Sequence, residues 1–232
     1  MKKCCMLVAA LLLCCVSLFA QKKPLTPYEY GHRWYFAFQG GPLYFNSDYC
    51  NRLAHEGRLL EQFAIGTSVA LGYNFNNAHA IRFMADYARK TGVCEEFVFY
   101  NADPSDDPLP TYTYKFRSVQ CFVDYVLNYN ALAEYFSPLC AKMYAGLGAG
   151  YTFDFTDPKH PEVILSSPNF VPALNFGFIV EYDFKDSFGL YTDLGLAFYD
   201  DHYNGRPYIS FPLDMDVSLQ IGLIYHFPLK AK

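Results

Sequence analysis

The sequence is short of charge and of long hydrophobic runs, and each shortage removes a class of protein. Charged residues make up 18% of the 232-residue chain, against roughly 25% in an ordinary soluble domain. Past the first twenty residues, no segment approaches the ~20 consecutive apolar residues that a membrane-crossing helix needs, so a bundle of such helices is excluded. No block of lysine and arginine stands out and the net charge is −5, which leaves little to neutralise a nucleic-acid backbone. No Cys-x-x-Cys pair and no Cys/His ligand spacing occurs, so a structural zinc site is not expected. The length suits one barrel or one ordinary domain and leaves little room for a second.

Aromatic residues, by contrast, are abundant at 19%. The N-terminus reads as a secretory signal over 1–20: Lys2 and Lys3 are the basic start, Cys4 to Phe19 is almost wholly apolar, and Ala20 offers a small residue before Gln21. Leu13 precedes Cys14 where a small residue is expected for lipidation, which argues against a lipid anchor. Residues 21–31 are expected to form a periplasmic N-terminal segment, 32–227 a barrel and 228–232 a C-terminal tail. Four cysteines remain after the signal: Cys50, Cys94, Cys121 and Cys140. Cys50 and Cys94 fall in two loops placed on one side, so they could pair or stay as thiols.

The decisive pattern is alternation. From Gln62 to Phe75 the residues Phe63, Ile65, Thr67, Val69, Leu71, Tyr73 and Phe75 alternate without a break with small or polar ones. Leu139 to Phe153 and Leu213 to Phe227 follow the same rule, and all three outrun the usual strand of about 5 to 6 residues. Fainter strands read over Arg33 to Phe45, His79 to Lys90, Thr111 to Leu127, Phe170 to Tyr182 and Phe188 to Tyr199. Eight strands result. Their connections alternate between brief turns, near Asn76-Asn77, Asn128 to Pro138 and Asp183 to Ser187, and long polar loops around Asn46 to Glu61, Thr91 to Pro110, Asp154 to Asn169 and Asp200 to Pro212. An even count puts both termini on the short-turn side.

The second face of these strands is small rather than charged: Gly66, Gly72, Gly146, Gly148, Gly150, Gly177, Gly189, Gly195 and Gly222 lie on it. A water-facing sheet would favour lysine, glutamate and threonine there. Small residues suit the inside of a narrow barrel, so the bulky apolar face points outward, which only hydrocarbon tolerates around a whole circumference. Tyr73, Phe75, Tyr182, Phe188, Tyr225 and Phe227 are expected at one headgroup interface, and Tyr112, Tyr114, Tyr151, Phe153 and Phe198 at the other. In the last strand, Gln220, Gly222, Tyr225 and Phe227 make a polar-x-Gly-x-x-aromatic-x-aromatic motif, followed by the extra Pro228 to Lys232.

That motif resembles the assembly signal of outer-membrane barrel proteins. With the signal segment and the eight alternating strands, the chain resembles the small outer-membrane barrels of the OmpA and OmpX type, and Leu18-Phe19-Ala20-Gln21 is similar to the signal ends of Bacteroidota. The resemblance implies an all-β fold, a transmembrane, antiparallel, up-and-down barrel of eight strands in the outer membrane of a Gram-negative cell. It implies the barrel-assembly machinery as a partner. Members of the class act as structural proteins, adhesins or, occasionally, lipid-modifying enzymes, and no residue of a particular member carries over.

Eight strands enclose a space that side chains just fill, so a wide aqueous pore is not expected. The lumen-facing charges are Arg82, Asp86, Asp124, Lys142, Glu181, Asp193, Asp214 and Asp216. From Arg82 through Asp124, Lys142, Glu181 and Asp193 the signs mostly alternate round the wall, which suggests buried pairs, since an unpaired buried charge costs several kcal/mol. Such a network serves either as a plug that fixes the barrel or as a gate or proton path; the plug is the favoured reading. His55, His160 and His202, with Asp157, Asp200, Asp201, Ser166 and Ser167, are the only candidates for a loop active site or metal site, and they suggest no convergent triad. No catalytic residue, cofactor or metal is therefore expected. The loops carry apolar residues, Val163, Ile164 and Leu165 with Tyr203, Tyr208, Ile209 and Phe211, that would pack over the mouth or bind a protein partner. Arg89, Lys90, Lys115 and Arg117 are placed near the outer rim, where they would either neutralise lipopolysaccharide phosphates or simply be solvated. The functional expectation is a non-enzymatic barrel for envelope integrity or surface interaction. The alternatives are a lipid A deacylase-like enzyme or a subunit of an outer-membrane transport or secretion complex.

Overall fold

The computed structural model describes residues 33–46, 59–95, 111–133, 138–156, 168–185, 187–204 and 213–227. Alternating sequences with one bulky face cannot leave their backbone groups unpaired beside an apolar phase, and closure of the sheet removes every edge. The strands do close: β1 (Arg33–Asn46), β2 (Phe63–Asn74), β3 (His79–Glu95), β4 (Thr111–Asn128), β5 (Leu139–Thr156), β6 (Asn169–Lys185), β7 (Phe188–Asp200) and β8 (Leu213–His226) form one closed barrel in sequence order. Every neighbouring pair is antiparallel, and β1 meets β8 from Tyr35↔His226 to Asn46↔Met215. The fold is the eight-strand, all-antiparallel barrel expected from the alternation. Among the described residues no helix is long and apolar enough to cross a membrane.

The strand ends differ from the sequence reading mainly at the long-loop end. β3 continues past Lys90 to Glu95 and pairs there with Thr111, and β5 continues past Phe153 to Thr156. Hydrogen bonding in a hairpin runs on as long as the partner does, whatever the hydrophobic pattern. At the short-turn end a four-residue helix α1 (Tyr129–Leu132) is capped by Asn128, whose side chain accepts from the Asn130 N–H.

Facing follows parity. Trp34, Phe36 and Phe38 on β1, Ile81, Phe83 and Tyr87 on β3, Leu174, Phe176 and Phe178 on β6, and Leu219, Ile221 and Leu223 on β8 are all exposed on the outer wall. The inner face is not uniformly small. Its glycines make room for large partners, so small and large residues interdigitate. A Cβ on Gly177 would stand 2.3 Å from the Tyr144 Oη, and one on Gly150 would stand 2.6 Å from the Tyr203 ring. Trp34, Tyr73, Phe75, Phe188, Tyr225 and Phe227 gather as aromatic contacts at the short-turn end, with Trp34 and Tyr73 centroids 4.9 Å apart. Tyr114 does not join the opposite girdle. It sits two residues from Phe116 on the inward parity of β4, is fully buried, and packs with Phe116 and Phe155 inside the long-loop end.

Candidate functional site

Among the described residues the lumen is where titratable side chains converge, and strand register decides which of them meet. Arg82 and Asp124 are directly opposite on β3 and β4. The Arg82 Nε donates to Asp124 Oδ2 at 2.8 Å, while its Nη1 crosses the lumen to Asp193 Oδ2 on β7 at 2.8 Å. The Tyr144 ring lies 4.0 Å from the guanidinium carbon, and its hydroxyl donates to Asp193 Oδ1 at 2.8 Å. Asn175 Nδ2 donates to Asp124 Oδ1 at 3.1 Å, and Arg82 also donates to the Tyr191 hydroxyl at 2.5 Å. The middle of the barrel is thus one cation held between two carboxylates, with neutral donors closing the remaining lone pairs.

A second layer lies toward the short turns. Lys142 Nζ donates to Glu181 Oε2 at 2.6 Å, and His226 Nε2 lies 2.7 Å from Glu181 Oε1 and 3.6 Å from Asp183 Oδ1. Glu181, Asp183 and His226 place three ligand atoms within 4.8 Å of one another, a spacing a divalent ion would accept. The ammonium of Lys142 stands on the other oxygen of Glu181.

A third layer lies toward the long loops. Lys90 is buried and paired with Asp216 on β8, which also accepts from Tyr199 at 2.9 Å and from Gln120 Nε2 at 3.0 Å. Tyr203, from a one-turn 3-10 segment (Asp201–Asn204), folds back into the lumen, stacks on Tyr199 at 3.9 Å between centroids, and accepts from Lys90 and Gln120 at 2.5 Å. Between the middle and upper layers a cavity of about 20 Å³, lined among others by Gln39, Asp86, Gln120, Asp193 and Gln220, has room for about one water. Ser68 donates to Gln220 at 2.5 Å along its wall.

Arg82, Asp124, Lys142, Glu181, Asp193 and Asp216 are therefore all inward, with Asp86 and Asp214 on the same face. They pair within and across layers. Lys142 pairs with Glu181 in its own layer, and Arg82 also crosses to the far wall for Asp193. Lys90 corrects the sequence reading outright: it shares the parity of Arg82 and Asp86, and the strand continues beyond it, so it points inward instead of meeting lipid phosphates. His226, Asp183, Gln120, Tyr144 and Tyr191 join the network without having been singled out. Parity was the available signal for all five; Tyr203, past the strand end, had been singled out only as a loop residue over the mouth.

Of the C-terminal motif, Gln220 faces the lumen and Tyr225 and Phe227 the outer wall. A Cβ on Gly222 would lie 1.9 Å from the Phe38 carbonyl oxygen, so this glycine permits the β1–β8 seam to close. Cys121 is exposed on the outer wall and Cys140 is buried, and the two are not bridged. Cys50, His55, His160, Asp157, Ser166, Ser167 and the apolar loop residues 163–165, 208, 209 and 211 lie outside the described residues, as does the side chain of Cys94. His202 Nδ1 lies 2.8 Å from Asp200 Oδ1 in an exposed pair.

No protein-family model matches the chain, and no curated protein matches it. Solved structures do share its fold. Neisserial surface protein A (NspA) is 13% identical with a TM-score of 0.51, over 84% of this chain and 97% of that one. A major outer membrane protein from Thermus thermophilus is 14% identical with a TM-score of 0.53, over 84% of this chain and 100% of that one. The fold is that of the small eight-strand outer-membrane barrels.

Proposed function

We propose that this protein is a non-enzymatic barrel of a Gram-negative outer membrane, exported with cleavage near Ala20, whose short turns face the periplasm and whose four long loops face outward. The observation that carries this reading is the inversion of the wall: bulky apolar side chains cover the outside while arginine, lysine and carboxylates fill the inside. Water would penalise the first arrangement and hydrocarbon rewards it. The ion-paired lumen favours a rigid post that carries loops over a conduit, because each layer spans the bore with side chains bonded to one another.

In this reading the barrel contributes to envelope integrity or to surface interaction through its loops. The Gln220, Gly222, Tyr225 and Phe227 strand is the segment that the assembly machinery engages. The test combines cell fractionation with a heat-modifiability gel and a planar-bilayer recording. The folded protein is expected in the outer-membrane fraction, to migrate differently boiled and unboiled, and to give no steady conductance. A chain that is monodisperse and folded in detergent-free buffer overturns the membrane reading, and steady ion flow overturns the closed lumen.

A further inference from the structure

Among the described residues, the outer wall is almost free of charge until one place. On β3 the outward residues Ile81, Phe83, Ala85 and Tyr87 are followed by Arg89. On β4 the outward Leu127, Tyr125, Val123, Cys121 and Val119 are followed by Arg117 and Lys115. Arg89 and Arg117 are directly opposite in register, and Lys115 stands opposite Thr91 in the next outward row. All three are exposed. Like charges directly opposed across a ladder destabilise it, so an anion beside these two arginines is favourable.

The protein supplies one carboxylate. β5 carries an extra residue between its pairings of Phe153 with Arg117 and of Thr156 with Lys115. At this bulge Asp154 adopts φ 59°, and its carboxylate meets the Arg117 Nε at 3.0 Å. That contact engages Arg117 through its Nε, with both side chains partly exposed. Arg89 and Lys115 form no ion pair among the described residues. Among the described side chains, three cations face one carboxylate here.

Its height identifies the anion. Arg117 stands ten residues along the tilted β4 from outward Leu127, a rise of roughly 25 Å, which equals the apolar band of such barrels. The row immediately below, Tyr87, Val119, Tyr151 and Phe170 on β3 to β6, is exposed and uncharged. A ligand seated on the cations would rest its body on these rings and aliphatic groups. Paired guanidinium forks match the oxygens of a phosphate monoester.

We propose that Arg89, Lys115 and Arg117 form a lipid-facing phosphate site that holds the phosphorylated headgroup of an outer-leaflet glycolipid against the β3–β5 wall. The inference rests on the membrane reading above. It is tested with the full mature chain folded in detergent micelles, by native mass spectrometry with bisphosphorylated lipid A, with lipid A stripped of phosphate, and with inorganic phosphate. The wild type is expected to retain one bisphosphorylated lipid A at least tenfold more tightly than the stripped lipid or free phosphate. The Arg89→Gln/Lys115→Gln/Arg117→Gln variant should lose that preference while keeping its heat-modifiable fold. Asp154→Asn, which keeps a residue tolerant of positive φ, should bind more tightly than the wild type. Equal retention of the stripped lipid, or full retention by the triple variant, overturns the site and leaves the membrane reading standing. Failure of the wild type to fold in micelles overturns that reading itself.

Discussion

Replacement of Arg82 by methionine tests whether the lumen is dry. The guanidinium is fully buried and is the only cation in contact with both Asp124 and Asp193 among the described residues. Methionine keeps most of the stem volume and strands two buried carboxylates. Breaking a buried pair by removing one partner costs about 3–5 kcal/mol, or roughly two to three and a half powers of ten in the folding equilibrium. The assay is reversible urea unfolding of the micelle-folded barrel, followed by the fluorescence of Trp34. This single tryptophan stands 51% exposed on the outer wall against Tyr73, on the opposite face of the sheet from the substituted side chain. With the denaturant slope unchanged, the loss appears wholly as a lowered midpoint. The Arg82→Met/Asp124→Asn/Asp193→Asn variant strands no charge and should recover most of the loss. A cost below about 1 kcal/mol for Arg82→Met, the range of solvated surface pairs, would refute the reasoning. So would a triple variant no more stable than the single one, because either result means that water screens the network.

Three further outcomes follow from the same geometry. Gly222→Val should abolish the folded, fast-migrating gel band, since its Cβ would meet the backbone of Phe38 and Gln39, whereas Gly40→Ala, with 3.3 Å to its nearest atom, should retain it. Cys121, on the outer wall, should react in the membrane with a lipid-soluble maleimide and resist a membrane-impermeant one, while Cys140 should react only on unfolding, as mass spectrometry of labelled peptides will read. Tyr203→Phe should cost about 1–3 kcal/mol for the hydroxyl that serves Lys90 and Gln120. Tyr203→Ala should cost about 3–5 kcal/mol through the lost ring on Tyr199, both measured by the same urea titration.

Alternation alone determined the eight strands, their order and which face of each turns outward, because side chains on a strand change sides at every residue whatever the rest of the chain does. Phe63 to Phe75 and Leu213 to Phe227 carried that signal with no tertiary information, and the inward set of Arg82, Asp124, Lys142, Glu181 and Asp193 followed from it. Parity names a face but neither a height nor a partner. Lys90 was inward by parity and was still placed at the rim, since the length of β3 depends on how far β4 accompanies it. Asp193 reaches Arg82 across the bore only because the sheet closes. Tyr203 and Asp154 lie beyond any period, one past the end of a strand and the other at a bulge that interrupts it. Which charges neutralise which, and which are left for a ligand outside, was decided by closure and register, since these set the distances on which an ion pair depends.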